Sequence, residues 1–146
     1  MINSIIKGIS KIFGDKSEKD IKEVKPLVDE INRYFEQYKS LSNDELRGKT
    51  IEFKARIAEH LKEIDAEIAE LKHRTEGGEL NIVDTEGIFS DIDKLKNKRD
   101  EDLEKILKQI LPEAFAVVKE TARRYTENNE IEVTATDNDR ELAARK

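Results

Sequence analysis

Apolar side chains at Phe53, Ile57, Leu61, Ile64, Ile68 and Leu71 recur every three or four positions with little but charge between them, a spacing that only an α-helix gathers into one continuous face. The helix has a complete start. Ser42 stands at the N-cap position, Glu45 follows three residues later to close a capping box, and Leu41 faces Leu46 as a hydrophobic staple. The pattern continues to Gly77-Gly78, where a chain can leave a helix in a left-handed conformation, giving a rod roughly 50 Å long at about 1.5 Å per residue. A narrow apolar face on so long a helix needs a partner of matching length. Ile88, Phe89, Ile92, Leu95, Leu103, Ile106 and Ile110 supply a returning helix. The spacing therefore predicts an antiparallel helical hairpin over 41–110, its tip at about 76–87, with Leu-Ile seams facing each other and Glu/Lys pairs outside. The gap at Lys98 and Arg99 is expected to be the weakest part of the seam.

The next stretch, Leu111-Pro112-Glu113-Ala114-Phe115-Ala116-Val117-Val118-Lys119-Glu120, is the densest apolar run in the chain. Proline suits the first position of a helix, having no N–H to leave unpaired, and Glu113 would sit where the helix dipole favours negative charge. A helix is expected over 111–126. Leu111, Phe115, Val118, Ala122 and Tyr125 recur at helical spacing, and Ala114 and Val117 widen the stripe until little is left for solvent. Something is expected to cover it.

Upstream, Ile2, Ile5, Ile6, Ile9, Ile12 and Phe13 share one helical face, and Asn3, Ser4, Lys7, Ser10 and Lys11 occupy the other. This is a basic amphipathic helix over 1–14, with Gly14 expected to stop it. Two readings of it stay open: docking on its own domain, or insertion of the isoleucine face into an anionic bilayer surface. Over 15–40, Ile21, Val24, Val28, Ile31, Phe35 and Tyr38 form a second seam, interrupted by Pro26, which predicts a kink or a restart near Lys25. Beyond Tyr125 the pattern changes. Ile131, Val133 and Ala135 alternate with polar residues like a short edge strand without a partner strand, so the polar tail 127–146 is expected to be disordered in isolation. From Asp139 it enters a helix-favouring run that stops at Lys146 as a chain cut from a longer one would. The fold class is all-α: an elongated helical assembly with an antiparallel helical hairpin and a flexible carboxy-terminal tail.

Composition supports thin helices over a thick core. Charged residues make up 41% and aromatics 5%, with no Trp, against about a quarter charged in an average domain. A net charge of -6 argues against nucleic acid as a partner, because phosphate binding needs a concentrated basic face. The chain has no Cys, which excludes disulfides and thiolate zinc sites and is compatible with a reducing cytosol. No apolar run approaches the roughly 20 residues of a membrane span.

Candidate chemistry is sparse. Gly48-Lys49-Thr50 has the ending of a phosphate-binding loop, but Asn43 stands where that loop needs its first glycine, and the three residues fall inside a capped helix. Gly48 is expected instead to allow a close helix–helix approach, at about 1 kcal/mol of helix propensity relative to Ala. His60 and His73 are too far apart on one helix to share a metal. Asp91, Asp93, Asp100, Glu101, Asp102 and Glu104 alternate with lysines on a solvated face, whereas acid–base catalysis needs carboxylates whose environments separate their pKa values. No catalytic, cofactor-binding or metal-binding residues are expected in this chain.

Two stretches carry a family resemblance. Leu41-Ser42-Asn43-Asp44-Glu45-Leu46-Arg47-Gly48-Lys49-Thr50-Ile51-Glu52-Phe53-Lys54-Ala55-Arg56-Ile57 resembles the "LSDEELKGKT-EF-AR" segment of the SecA family, the ATPase motors of bacterial preprotein translocation, and the LPEAFAVVKE run resembles a second family segment. Residues 1–14 are similar to the family's first helix. The likeness covers about half of the chain; 57–106 reads as a charged insertion, and 128–146 fits the pattern poorly. The resemblance implies an amino-terminal segment ahead of the motor's nucleotide-binding motifs, with ATP and Mg belonging to the parent protein. It implies that Ile2, Ile5, Ile6, Lys7, Ile9, Lys11, Ile12 and Phe13 contact acidic phospholipid and a SecYEG-type channel, and that Leu111, Phe115, Val117, Val118 and Tyr125 pack on the first nucleotide-binding domain. Secretory preproteins would be the parent's cargo, and the location cytoplasmic, peripherally associated with the inner membrane. Without the motor domain, the apolar face of the 111–126 helix is expected to fold back on the hairpin or to pair with a second copy as a homodimer. The competing reading is a free-standing, coiled-coil-like helical adaptor without enzymatic activity.

Overall fold

The computed structural model describes residues 2–76 and 82–145, and the side chains of 20–76 and 85–145. The fold is all-α. Four helices follow one another among the described residues: α1 (Ile2–Tyr38), α2 (Asn43–Glu76), α3 (Ile82–Glu127) and α4 (Asp137–Ala144). The chain divides into two compact units, one formed by Asp44–Leu111 and the other by Met1–Asn43 with Pro112–Lys146.

The first unit is the hairpin. Leu61, Ile64 and Ile68 of α2 and Ile88 and Ile92 of α3 form a buried cluster, with Ile57, Leu71, Leu95 and Leu103 packed against it. Leu46, Phe53, Ile106 and Ile110 are also buried. The face picked out by periodicity is thus the face that is covered, and α2 starts directly after Ser42. Phe89 is a correction. Ile88 and Ile92, one turn apart, occupy the seam, and Phe89, one position on, turns out to solvent. At the expected weak point, Lys98 and Arg99, Arg99 donates through Nε to Asp65 Oδ1 at 2.5 Å and through Nη2 to Asp65 Oδ2 at 3.4 Å. A two-pronged ion pair between α2 and α3 stands where the apolar pattern lapses. Outside the seam, Lys94–Asp91, Lys96–Asp93, Lys105–Asp102 and Lys108–Glu104 pair along α3; exposed pairs of this kind contribute little each. Residues 77–81 of the expected tip lie outside the described residues.

Gly48 does not mark a close approach. A Cβ there would meet no atom within 4 Å among the described residues, so its place in α2 is not dictated by crowding.

In the second unit the expected stop at Gly14, the restart near Lys25 and the helix start at Pro112 do not occur. α1 runs unbroken through Gly14 and Pro26, and α3 runs through Pro112. Each of these residues weakens a helix locally, by a lost hydrogen bond or by backbone entropy, and the turns on either side continue past it. Pro112 is therefore not a first helical residue, and Glu113 is not at a helix N-terminus. Of the seam read along α1, Tyr38 is buried and Ile31 and Phe35 are half-buried, whereas Ile21, Val24 and Val28 are exposed.

Beyond α3, residues 128–136 hold no regular secondary structure. The alternation at Ile131, Val133 and Ala135 forms no strand, since no second strand among the described residues offers a ladder. Part of the tail expected to lack structure is helical. Thr136 caps α4 by accepting from the Asp139 backbone N–H, and the Asp139 carboxylate accepts from the Thr136 N–H, a closed capping box.

Candidate functional site: the two faces of the third helix

From Pro112 to Glu127, α3 buries charge and exposes apolar surface. Phe115, Val118 and Tyr125 are 54%, 66% and 70% exposed, and Ala122 between them is exposed too. On another face Glu113, Ala116, Glu120 and Arg124 are buried, Ala116 and Glu120 completely. Both sets repeat at steps of three and four, so each is a helical stripe.

Burying charge is costly unless every polar atom finds a partner, and here each does. Glu120 Oε1 accepts from Arg124 Nε at 2.8 Å and Arg123 Nη2 at 2.7 Å, while Oε2 accepts from Arg123 Nε at 2.8 Å. Hydrogen bonds from Arg123, followed by those from Arg124 and the two positive charges, outweigh desolvation and hold the Glu120 carboxyl at about 2. Arg123 also pairs with Glu127. Arg124 spends its remaining nitrogens on the α1–α2 turn: Nη1 donates to Asn43 Oδ1 at 2.6 Å, and Nη2 donates to the Leu41 carbonyl at 2.6 Å and the Tyr38 carbonyl at 3.2 Å. Asn43 Nδ2 passes the chain on to the Glu132 carbonyl at 2.8 Å. Asn128 closes the end of α3, its N–H and Nδ2 both donating to the Arg124 carbonyl. Tyr38 donates its hydroxyl to Glu113 at 3.3 Å. Lys119 donates to Asn32 at 2.6 Å and lies 4.3 Å from the centre of the Phe35 ring. Among the described residues no buried side-chain N or O lacks a partner.

The expected packing residues split accordingly. Leu111, Phe115, Val118 and Tyr125 face outward, and Val117 is half-buried. Ile2, Ile5, Ile6, Lys7, Ile9, Lys11, Ile12 and Phe13 lie on α1, their side chains outside the described residues. The network of Tyr38, Asn43, Glu120 and Arg124 was not anticipated. Its one sequence signal, an acid three and four positions before two arginines, is the signal of any surface ion pair.

Elsewhere, Gly48-Lys49-Thr50 lies within α2, and Lys49 pairs with Glu52 at 2.6 Å, an arrangement unlike a loop whose amides face a phosphate. His60 and His73 are exposed. Among the described residues no cluster of His, Cys, Asp or Glu is arranged to hold a metal ion, and no helix is long and apolar enough to cross a membrane.

A family described as the SecA DEAD-like domain matches residues 9–136. A protein translocase subunit SecA of Phocaeicola vulgatus is 52% identical over 137 residues, 94% of this chain and 12% of that protein. SecA proteins of Christiangramia forsetii, 46% identical over 98% of the chain, and Chloroherpeton thalassium, 48% identical over 82%, agree. These matches run through the charged stretch 57–106, which is therefore shared with these relatives, and the broadest reaches into the tail. The chain spans about an eighth of the length of the curated relatives it matches. No solved structure matches it.

Proposed function

The chain belongs to the SecA family of protein translocase subunits, and on that premise we propose that it is the amino-terminal segment of a translocation motor, with α1 meeting the membrane surface and channel and α3 carrying the motor domain. The observation that carries this reading is the outward stripe of Phe115, Val118 and Tyr125. A helix that buries a glutamate and an arginine while exposing a phenylalanine, a valine and a tyrosine has an apolar face available for a further partner. The nucleotide-binding domain of the longer protein is the occupant proposed for it, with a second copy of the chain as the rival.

Hydrolysis of ATP with Mg belongs, in this reading, to parts of the motor outside these residues. What supports this is that Gly48-Lys49-Thr50 is helical and that Asp91, Asp93, Asp102, Glu104 and Glu120 of α3 pair with lysines or arginines. No chemical step is assigned to this chain. Its part is to hold the motor domain and to present α1, whose isoleucine face and Lys7 and Lys11 suit an anionic lipid surface, at the cytoplasmic side of the inner membrane beside a SecYEG-type channel. Secretory preproteins are the cargo proposed for the whole motor.

Three measurements test this. The gene beyond Lys146 should encode a G-x-x-x-x-G-K-[ST] loop within the next hundred or so residues, and its absence would favour the free-standing adaptor. Phe115→Asp with Val118→Asp in the longer protein should loosen the motor domain and depress translocation-coupled ATP hydrolysis, whereas parental turnover would reject the packing role. Flotation with anionic liposomes should be lost in Ile5→Asp with Ile9→Asp; equal binding by that variant would reject the membrane role.

A further inference from the structure

Among the described side chains of α1, those near its carboxy-terminal end are the ones packed within its unit. Tyr38 is buried and Ile31, Tyr34 and Phe35 are half-buried, while Ile21, Val24 and Val28 stand exposed. Three of its polar ties lie near that end. Tyr38 meets Glu113 at a long 3.3 Å, and Lys119, itself exposed, reaches Asn32 and the Phe35 ring. These keep α1 beside α3, but neither donor has the fixed planar fork of a guanidinium.

The third tie is different in kind. One guanidinium, 8% exposed, donates to acceptors on three stretches of chain: Glu120 in α3, the carbonyls of Tyr38 and Leu41 where α1 ends and the turn begins, and the Asn43 side chain at the first residue of α2. The Tyr38 carbonyl belongs to the last turn of α1, where carbonyls lack intrahelical partners and positive charge is favoured. A planar fork satisfies all of these acceptors together only in one orientation, and a flexible point charge such as Lys would not impose it. Glu120, fully buried and gripped on both oxygens by Arg123 and Arg124, aims the fork. The Leu41 N–H closes the same turn onto the Tyr38 carbonyl at 3.1 Å.

We propose that Arg124 is a positioning residue whose fork, aimed by Glu120, fixes the direction in which α1 leaves the α1–α2 turn, and with it where the apolar face of α1 is presented. This holds whether or not that face meets a membrane, so its failure and the failure of the membrane reading are separate results. Residues 20–26 are all exposed, so over this stretch a small change of angle at the fork is carried along the helix.

The absence of cysteine makes the test direct. Spin labels on Asp29→Cys in α1 and Ala122→Cys in α3, both exposed positions, report the distance between the helices in the whole chain by pulsed electron paramagnetic resonance. The parental chain should give one narrow distribution. Arg124→Lys keeps a charge for Glu120 but loses the fork, and should broaden the distribution about twofold or more with helix content by circular dichroism unchanged. Asn43→Ala removes one acceptor and leaves the arginine intact; it should broaden the distribution less, in the same sense. Parental width in both variants would overturn the proposal and leave packing of Tyr38 and Phe35 as what orients α1. If Arg124→Lys loses helix content, Asn43→Ala decides: broadening supports the fork, and parental width rejects it.

Discussion

Glu120 is the residue on which the charged face of α3 turns. Its folded carboxyl titrates at about 2, against 4.5 ordinarily, so its ionised form stabilises the fold at every pH above 4.5 and that contribution drains away as pH falls toward 2. The shift corresponds to a contribution on the order of 3 kcal/mol. Thermal unfolding of the parental chain should therefore move to lower temperature between pH 4.5 and 2 more steeply than that of Glu120→Gln, and parallel curves for the two would rule this out. Gly48 makes the opposite kind of residue-scale statement. With open space around its missing side chain, Gly48→Ala should gain up to about 1 kcal/mol in chemical denaturation through helix propensity alone. A loss of stability would mean that something unseen approaches this turn. Neither role was legible in sequence: Glu120 reads as one half of an ordinary surface pair, and Gly48 as a contact glycine, because burial around a single position depends on residues far away in the chain.

At the scale of elements, the hairpin seam was legible almost residue by residue, since steps of three and four leave one face and the two helices have only each other to cover it. Leu61 and Ile92, each 2% exposed, should cost roughly 2–5 kcal/mol when cut to alanine. Phe89→Ala should lie within about 0.5 kcal/mol of the parental chain, as surface substitutions do. Equal losses at Ile92 and Phe89 in denaturant titrations would restore Phe89 to the seam. Where helices end was less legible. Pro26, Pro112 and Gly14 each carry a local penalty of about 1–3 kcal/mol, but a penalty at one residue ends a helix only if the following turns gain nothing by continuing. Here α1 carries Tyr38 into its unit beyond Pro26, and α3 carries Ala116, Glu120 and Arg124 beyond Pro112.

For the whole molecule, the exposed stripe on α3 bears on how the chain behaves alone. An apolar-surface dye such as ANS should bind the 146-residue chain and bind less to Phe115→Asp with Val118→Asp, and light scattering should show whether a second copy competes for the same face. A strictly monomeric chain that binds no dye would mean the stripe is covered in solution. What the sequence by itself determined is the all-α class, the hairpin with its buried seam, the family and the presence of an apolar stripe at Phe115, Val118 and Tyr125. Each of these follows from spacing or from matched residues, which are properties of the chain in one dimension. Only the tertiary structure decided which face of α3 is turned inward, that a glutamate and an arginine are buried there, and that the arginine reaches the carbonyls that close α1. A helix carries several stripes at once, and which one is buried depends on which neighbour can satisfy its atoms. For Arg124 that neighbour is the turn at Tyr38 and Leu41, more than eighty residues away in the chain, a separation that no local pattern spans.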